Sequence, residues 1–245
     1  MNNTLYVSLS HQMAMQRRLD LVANNIANIN TTAFRRETVR FDEFIIEMKG
    51  AKDPLGGNLS FVQDYGVVRD FQEGASIPTG NTLDIAISGP GFLTVETPDG
   101  EIRYTRNGHF KLDGGGVIVT SNGSRVLDDT GNEITLAIGD TEISIAKDGT
   151  ISGNTGRIAR LALVEFTNRQ ALMKVGNSQY STAEVPIDSE SSTVTQGMIE
   201  GSNVNGVEEV TNMIQILRSY QTVSKMMDEY RRLRQTAIQR LARVA

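Results

Sequence analysis

The last forty residues of this chain carry an apolar seam that is too long for the preceding domain to cover. From Met213 to Val244 the ten seam positions are spaced alternately three and four residues apart, and Arg234 is the only one that is not apolar. No proline or glycine interrupts residues 207–245, so the pattern predicts one helix of roughly 57 Å. A stripe of this length must be covered by something, because apolar surface left in water is unfavourable.

A second segment, near the N-terminus, has a matching periodicity. It lies in a helix predicted over about residues 4–29, and its apolar positions repeat the four-three spacing. Two such seams at opposite chain ends can pair as a coiled coil, with each other or with neighbouring copies. Assembly through helices is therefore the first functional hypothesis. The positions in this segment are Met15, Leu19, Val22, Ile26 and Ile29.

The length and composition are those of a soluble protein with one large domain or two modest ones. No apolar run approaches the roughly 20 residues that a membrane helix needs. Asn24, Asn25 and Asn28 interrupt every run that could serve as the core of a cleaved secretory signal, so no such signal is expected. The absence of cysteine excludes disulfides, thiolate nucleophiles and cysteine-based zinc sites.

The charge is distributed unevenly along the chain. Residues 208–245 contain seven Lys and Arg against four Asp and Glu, a balance of +3 in a chain whose total is -5. Cations near a helix C-terminus complement the helix dipole, and docking onto an acidic surface of a neighbour is the alternative. Nucleic acid is not an expected partner, because tryptophan is absent and aromatic residues make up only 6% of the chain.

The centre of the chain has a different sequence pattern. From about Val67 to Val194, strand-like runs of four to seven residues are separated by turn sequences whose glycines supply the positive φ angles of tight hairpins. This pattern predicts an antiparallel β domain with several hairpins. The turn sequences are Pro98-Asp99-Gly100, Asp113-Gly114, Asn122-Gly123 and Asp148-Gly149.

The predicted fold class is α+β, with paired, coiled-coil-like N- and C-terminal helices and an antiparallel all-β central domain. Residues 1–33 and 202–245 are predicted to form a discontinuous helical assembly domain. Residues 34–66 are predicted to be an extended connector with a loop from Gly50 to Ser60, and residues 67–201 a β-rich outer domain. The last helix has a clear start signal, since Asn205 suits the N-cap and Glu208 falls at the third helical position.

The sequence contains few residues in the arrangements that catalysis or metal binding requires. His11 and His109 lie in different parts of the chain and have no metal-ligand spacing. The acidic stretch from Asp128 to Glu133 lacks the order of a calcium loop, and no glycine run ends as a phosphate-binding loop does. The sequence therefore predicts no catalytic residue, no cofactor and no metal site.

Three segments, in order along the chain, resemble one family. They are residues 21–34 (LVANNIANINTTAF), residues 78–92 (PTGNTLDIAISGPGF) followed by 104–108 (YTRNG), and residues 197–205 (GMIEGSNVN) followed by Arg218-Ser219-Tyr220. These segments are similar to the signatures of the flagellar rod and hook proteins of bacteria. One departure is Ala33, where many members have glycine, and it weakens any argument that this position needs positive φ.

The resemblance implies a structural subunit of the flagellar basal-body rod that assembles helically and transmits torque through the periplasm. The implied partners are copies of itself, other rod proteins and the flagellar type III export apparatus, with export requiring no cleaved signal. The short length and the segment from Glu200 to Asn205 look most like a proximal rod subunit. A distal rod subunit or another axial protein is the alternative within the family. A non-flagellar β-domain binding module that dimerises through its helices is the alternative from another class.

The candidate site is a subunit interface on the two terminal helices. Its asparagines have two interpretations. Their side chains can hydrogen-bond the unpaired main-chain carbonyls and amides of a fraying helix end, or they can fix the register between subunits through buried amide contacts. The predicted interface residues are Leu19, Val22, Asn24, Asn25, Ile26, Asn28, Ile29, Met213, Ile216, Leu217, Tyr220, Val223, Met227, Tyr230 and Leu241.

Overall fold

The computed structural model describes residues 3–47, 58–137, 142–154 and 156–244, which contain two α-helices and eighteen β-strands. The helices are α1 (Asn3–Ala27) and α2 (Gly206–Val244), and a short 3-10 helix spans Arg169–Ala171. The strands are β1 (Glu37–Glu47), β2 (Asn58–Arg69), β3 (Ser76–Pro78), β4 (Ile85–Ser88), β5 (Phe92–Glu96), β6 (Ile102–Thr105), β7 (Phe110–Leu112), β8 (Ile118–Thr120), β9 (Arg125–Val126), β10 (Ser144–Ile145), β11 (Thr150–Gly153), β12 (Gly156–Arg160), β13 (Leu163–Glu165), β14 (Met173–Gly176), β15 (Gln179–Ser181), β16 (Ile187–Asp188), β17 (Thr193–Gln196) and β18 (Met198–Glu200).

The chain divides into two compact units. The helical unit comprises residues 1–27, 37–69 and 205–245, and the β unit comprises residues 28–36 and 70–204. Two terminal helices together with antiparallel sheets confirm the predicted α+β class. No helix in the described part of the chain combines the length and the apolar character needed to cross a lipid bilayer.

In the helical unit, α1 packs along α2. Asn25, near the end of α1, hydrogen-bonds Glu209, near the beginning of α2, so the two helices run antiparallel. The predicted start of α2 is confirmed, because the Asn205 side chain accepts hydrogen bonds from the amides of Val207 (3.1 Å) and Glu208 (3.3 Å).

The helical unit also contains a long hairpin in the segment predicted to be an extended connector. Strands β1 and β2 pair antiparallel from Glu37 opposite Arg69 to Glu47 opposite Asn58, with a bulge between Arg40 and Phe41. A bulge of this kind bends the strand and increases its twist. Of the predicted loop from Gly50 to Ser60, residues 50–57 lie outside the described residues and residues 58–60 begin β2.

The β unit contains a nine-stranded sheet, in which the path β14-β15-β6-β5-β9-β8-β7 is joined by β13 and β16. Strands β10, β11 and β12 form a second sheet, while β4 pairs with β17 and β3 with β18, and every one of these pairings is antiparallel. The predicted hairpins at residues 98–100, 113–114, 122–123 and 148–149 are confirmed, since the strands flanking each turn pair with each other.

The backbone at residue 33 corrects one sequence-based expectation. Ala33 has a φ of 57°, so this position does require a left-handed backbone even though it is not glycine. The conformation costs an L-residue about 1–2 kcal/mol. It is held because Ala33 is buried and its amide donates a 2.8 Å hydrogen bond to the Glu200 carbonyl oxygen, within the β unit.

Candidate assembly interface

The apolar seam of α2 is covered by α1 for only part of its length. Within the seam Ile216 and Met227 are buried, and Tyr230 is half-buried. Helix α1 has 25 residues, and its C-terminal end lies beside the beginning of α2. Because the helices run antiparallel, α1 is long enough to extend from Gly206 to Tyr230 along α2. The intrachain pairing therefore accounts for the first 25 residues of α2.

Beyond Tyr230, helix α2 continues without cover from the described residues of its own chain. We call residues 231–244 the overhang. Every residue from 231 to 242 is exposed, including Leu233 (70%), Ile238 and Leu241 (73%). The overhang contains five arginines and no acidic residue. It is thus a cationic helix segment with an apolar stripe in water.

A second apolar stripe lies on the first part of α2, on the side away from Ile216. Its residues are spaced three, four and three apart, and all are exposed. At about 100° per residue they lie on average about 140° around the helix from Ile216. Of this set, only Leu217 is among the predicted interface residues, although the sequence contains a second three-four repeat that begins at Val207. The residues are Val207, Val210, Ile214 and Leu217.

Asn25 is the most deeply buried of the predicted interface residues. Its side-chain oxygen accepts a hydrogen bond from the Glu37 amide (3.0 Å), and its side-chain nitrogen donates to the Glu37 carbonyl (2.9 Å) and to the Glu209 carboxylate (3.3 Å). Glu37 also accepts a 2.8 Å ion-pair hydrogen bond from Arg69. Asn25 therefore joins α1, the hairpin and α2 inside one chain, a role that neither interpretation of the asparagines included.

The other predicted interface residues differ in exposure. Asn28 accepts a hydrogen bond from the Thr31 hydroxyl at 3.1 Å, as expected near a helix end. Leu19, Val22, Ile26, Asn28, Met213 and Val223 are half-buried, whereas Asn24, Ile29, Leu217, Tyr220 and Leu241 are exposed.

A groove opens in the helical unit between α1 and the hairpin. It is lined by the face of α1 from Ser10 to Asp20 and by Phe41 of β1, and its volume is about 460 Å³. Ala14 is buried, whereas Met13 is 66% exposed. Gln16 donates a 3.1 Å hydrogen bond to Asp20 one turn further along α1. The groove is apolar, with a few polar groups along the α1 side.

A buried ionic triad lies in the β unit. The Glu200 carboxylate accepts hydrogen bonds from Arg35 (2.5 Å) and Arg106 (2.8 Å), and all three side chains are at most 3% exposed. The same carboxylate accepts a 3.0 Å hydrogen bond from the Gly74 amide. Burial lowers the pKa of Arg106, and the neighbouring Glu200 charge acts in the opposite direction. The carboxylate thus neutralises one of two buried guanidinium charges.

The two arginines of the triad are not equally well satisfied. Arg106 also donates to the carbonyl oxygens of Gly89 (2.6 Å), Gly91 (2.7 Å) and Ile87 (2.9 Å). Arg35 donates to Glu200 only, and its Nε and Nη1 atoms have no partner within the described parts of the chain. The residues of the triad are not among the predicted site residues, although Arg106 and Glu200 are the charged positions of the segments YTRNG and GMIEGSNVN.

Close backbone contacts surround the triad. A Cβ atom on Gly74 would lie 2.1 Å from the Gly201 carbonyl oxygen, and one on Gly108 would lie 2.0 Å from the Ile85 carbonyl oxygen. No side chain tolerates such distances, so both positions require glycine for space rather than for backbone angle. The triad therefore sits in a junction of closely packed main chain.

The structure offers little for catalysis. Among the described residues there is no group of three or more His, Cys, Asp and Glu placed to hold a metal ion. The His109 ring lies 2.8 Å from the buried Asp84 carboxylate, which also accepts hydrogen bonds from Thr79 and Asn81 in the same turn region. These contacts are those of a satisfied structural carboxylate.

Three family descriptions match separate parts of the chain. Residues 5–35 match "Flagella basal body rod protein", residues 86–153 match "Flagellar hook protein FlgE/F/G D1 domain", and residues 195–240 match "Flagellar basal body rod FlgEFG protein C-terminal". The matches over residues 5–35 and 195–240 include most of the two terminal helices, which have exposed apolar faces.

Similarity to individual relatives extends over the whole chain. The flagellar basal-body rod protein FlgF of Caulobacter vibrioides is 41% identical over 100% of both chains. FlgF of Rhizobium meliloti is 37% identical over 93% of this chain and 92% of the relative. The flagellar basal-body rod protein FlgG of Bacillus subtilis is 31% identical over 93% of this chain and 94% of the relative.

These matches define the class of protein: a structural protein of the flagellum rather than an enzyme. The chain belongs to the family of flagellar basal-body rod proteins, and among these relatives it is most like FlgF. The binding-module alternative loses its support, because the family match covers the whole chain. Family membership places the protein in the flagellar basal body, together with other rod proteins.

Proposed function

We propose that this chain is a proximal rod subunit that assembles helically through its terminal helices and transmits torque across the periplasm. One observation carries the proposal: helix α2 has more apolar surface than the described part of its own chain covers. Both the overhang and the stripe from Val207 to Leu217 need partners of similar apolar character. The higher identity to FlgF than to FlgG supports the proximal position.

The two predicted domains have different roles in this proposal. Residues 1–33 and 202–245 form the assembly domain, whose helices pair as a coiled coil and contact neighbours through the predicted interface residues. Residues 67–201 form the outer, β-rich domain. Each buried Å² of apolar surface stabilises a contact by roughly 25 cal/mol, and an interface of about 1,600 Å² is of standard size for a stable complex.

Export without a cleaved secretory signal completes the proposal. The subunit leaves the cytoplasm through the flagellar type III apparatus and then joins copies of itself and other rod proteins. Membership in the flagellar rod family supports this route.

The test separates assembly from folding. The triple variant Leu233→Ser, Ile238→Ser, Leu241→Ser changes only exposed side chains of the overhang. We expect its melting temperature to stay within about 6 °C of the wild type, because three exposed substitutions of less than about 0.5 kcal/mol each change stability by at most about 1.5 kcal/mol. When it replaces the wild-type gene, we expect no completed rods by electron microscopy and no swimming.

A matched control changes exposed apolar residues of the β unit. Val185→Ser with Ile187→Ser alters side chains of comparable exposure and is expected to preserve both melting temperature and swimming. Normal rods in the overhang variant would overturn the proposal, and so would a wild-type protein that is absent from purified basal bodies.

A further inference from the structure

We propose that the overhang of one copy docks into the groove between α1 and the hairpin of a second copy. This inference deepens the proposed function and rests on it, since it names the contact that joins successive copies. The docking residues are Ala237, Ile238 and Leu241, which share an arc of about 100° on α2. The receiving residues are Met13, Ala14 and Phe41.

The overhang cannot reach the groove of its own chain. With Asn25 fixed beside Glu209 and the helices antiparallel, Met13 lies opposite a position near Tyr220. Leu241 is 21 residues further along α2, or roughly 30 Å away at about 1.5 Å per residue. No proline or glycine interrupts α2 after Gly206, so the helix does not turn back.

The groove suits apolar side chains presented by a helix. Its volume of about 460 Å³ falls within the range of roughly 300–1,000 Å³ found for binding clefts. Ala14 is small and buried, while Met13 and Phe41 offer apolar surface on either side. Methionine adapts its shape to a partner because it is unbranched and flexible. The groove thus accepts a helix that projects side chains at i and i+3 or i+4.

The overhang and the hairpin beside the groove have sequences of opposite net charge. The overhang carries five arginines and no acidic residue. The groove lining contains one acid and one base, Asp20 and Arg17, and the acidic excess lies in the hairpin, because the sequences of β1 and β2 contain five carboxylates against two arginines. Opposite potentials orient two surfaces during encounter and disfavour partners of the wrong charge. The sequence of the hairpin beside the groove therefore has the negative net charge that suits a basic helix segment.

A second copy is the occupant because both surfaces belong to every chain. The overhang and the groove are different surfaces of the helical unit, so a contact between them is head-to-tail. Such a contact leaves a free overhang at one end and a free groove at the other. It therefore propagates along a filament unless the rotation closes it into a ring.

The absence of cysteine makes the test clean. Cells without the native gene express Met13→Cys and Leu241→Cys as two separate single variants in the same cell. Purified basal bodies are oxidised with copper phenanthroline, and disulfide-linked dimers are measured by immunoblot. The control pairs Met13→Cys with Gln239→Cys, because residue 239 lies on the opposite face of the overhang about 200° from Leu241.

The proposal expects at least tenfold more dimer from the Leu241 pair than from the Gln239 pair. Equal dimer from both pairs, or none from either while the variants are present in basal bodies, would overturn the docking contact and leave the rod function standing. Loss of dimer together with a new adduct to a different rod protein would show that the groove's occupant is not a second copy. Absence of the wild-type protein from basal bodies would instead refute the proposed function.

Discussion

Replacing Glu200 by glutamine should destabilise the β unit more than the corresponding substitution at any other acidic residue of its ion pairs. Each such substitution keeps the shape of the side chain and removes its charge. The carboxylate is 1% exposed and is shared by two buried arginines. Glutamine keeps the volume but removes the charge, and it leaves both guanidinium groups buried without a counter-ion. Removing one partner of a buried ion pair typically costs about 3–5 kcal/mol.

The magnitude can be expressed as a shift in melting temperature. In a protein of this size each kcal/mol lowers the melting temperature by about 2–4 °C, so Glu200→Gln should lower it by about 10 °C. Calorimetry or circular dichroism on the purified chain would measure the shift. Urea unfolding at constant temperature would give the free energy independently.

The matched control applies the same chemical change to an exposed pair. Glu133 lies 3.3 Å from Arg125, and both side chains are about half exposed. Exposed pairs contribute at most about 1 kcal/mol, so Glu133→Gln should shift the melting temperature by no more than about 4 °C. If Glu200→Gln is no worse than Glu133→Gln, the carboxylate does not hold the junction and the reasoning is wrong.

Three further predictions follow from the contacts described above. Asn25→Ala should destabilise the helical unit by about 1–3 kcal/mol in urea unfolding, because the hairpin loses the amide that satisfies both main-chain groups of its first residue. Gly108→Ala should reduce the soluble yield and the melting temperature sharply, whereas Gly114→Ala, where a Cβ meets open space, should change neither by much. The pKa of Glu165 is held below its ordinary value chiefly by the Ser189 hydroxyl, so its contribution to stability is present above the unfolded pKa, near 4.3, and is lost as pH falls through the lowered folded pKa. The stability difference between wild type and Ser189→Ala should therefore be larger at pH 7 than at pH 3, and an equal difference at both values would contradict this assignment.

The elements that could be predicted from the sequence depend on short-range signals. The hairpin turns at residues 98–100 and 148–149 follow from glycines that supply positive φ angles, and the start of α2 follows from the side-chain chemistry of Asn205. The two terminal helices follow from periodicity and from the absence of helix breakers. Each of these signals lies within a few residues of the feature that it predicts.

The triad could not be predicted, because its contacts join distant parts of the chain. Glu200 is 165 residues from Arg35 and 94 from Arg106 along the sequence. Charged residues are usually exposed, so nothing in their type indicated burial. Ala33 shows the same limit, because its left-handed backbone is held by a hydrogen bond to the main chain of Glu200.

The sequence by itself determined which residues form helices and which faces of those helices are apolar, because both depend on the order of neighbouring side chains. Only the tertiary structure decided which apolar faces are covered. A three-four repeat looks the same whether or not a partner lies against it. The register fixed by Asn25 and Glu209, together with the unequal lengths of α1 and α2, leaves residues 231–244 beyond the reach of α1. That difference in length makes the end of α2 available to another chain.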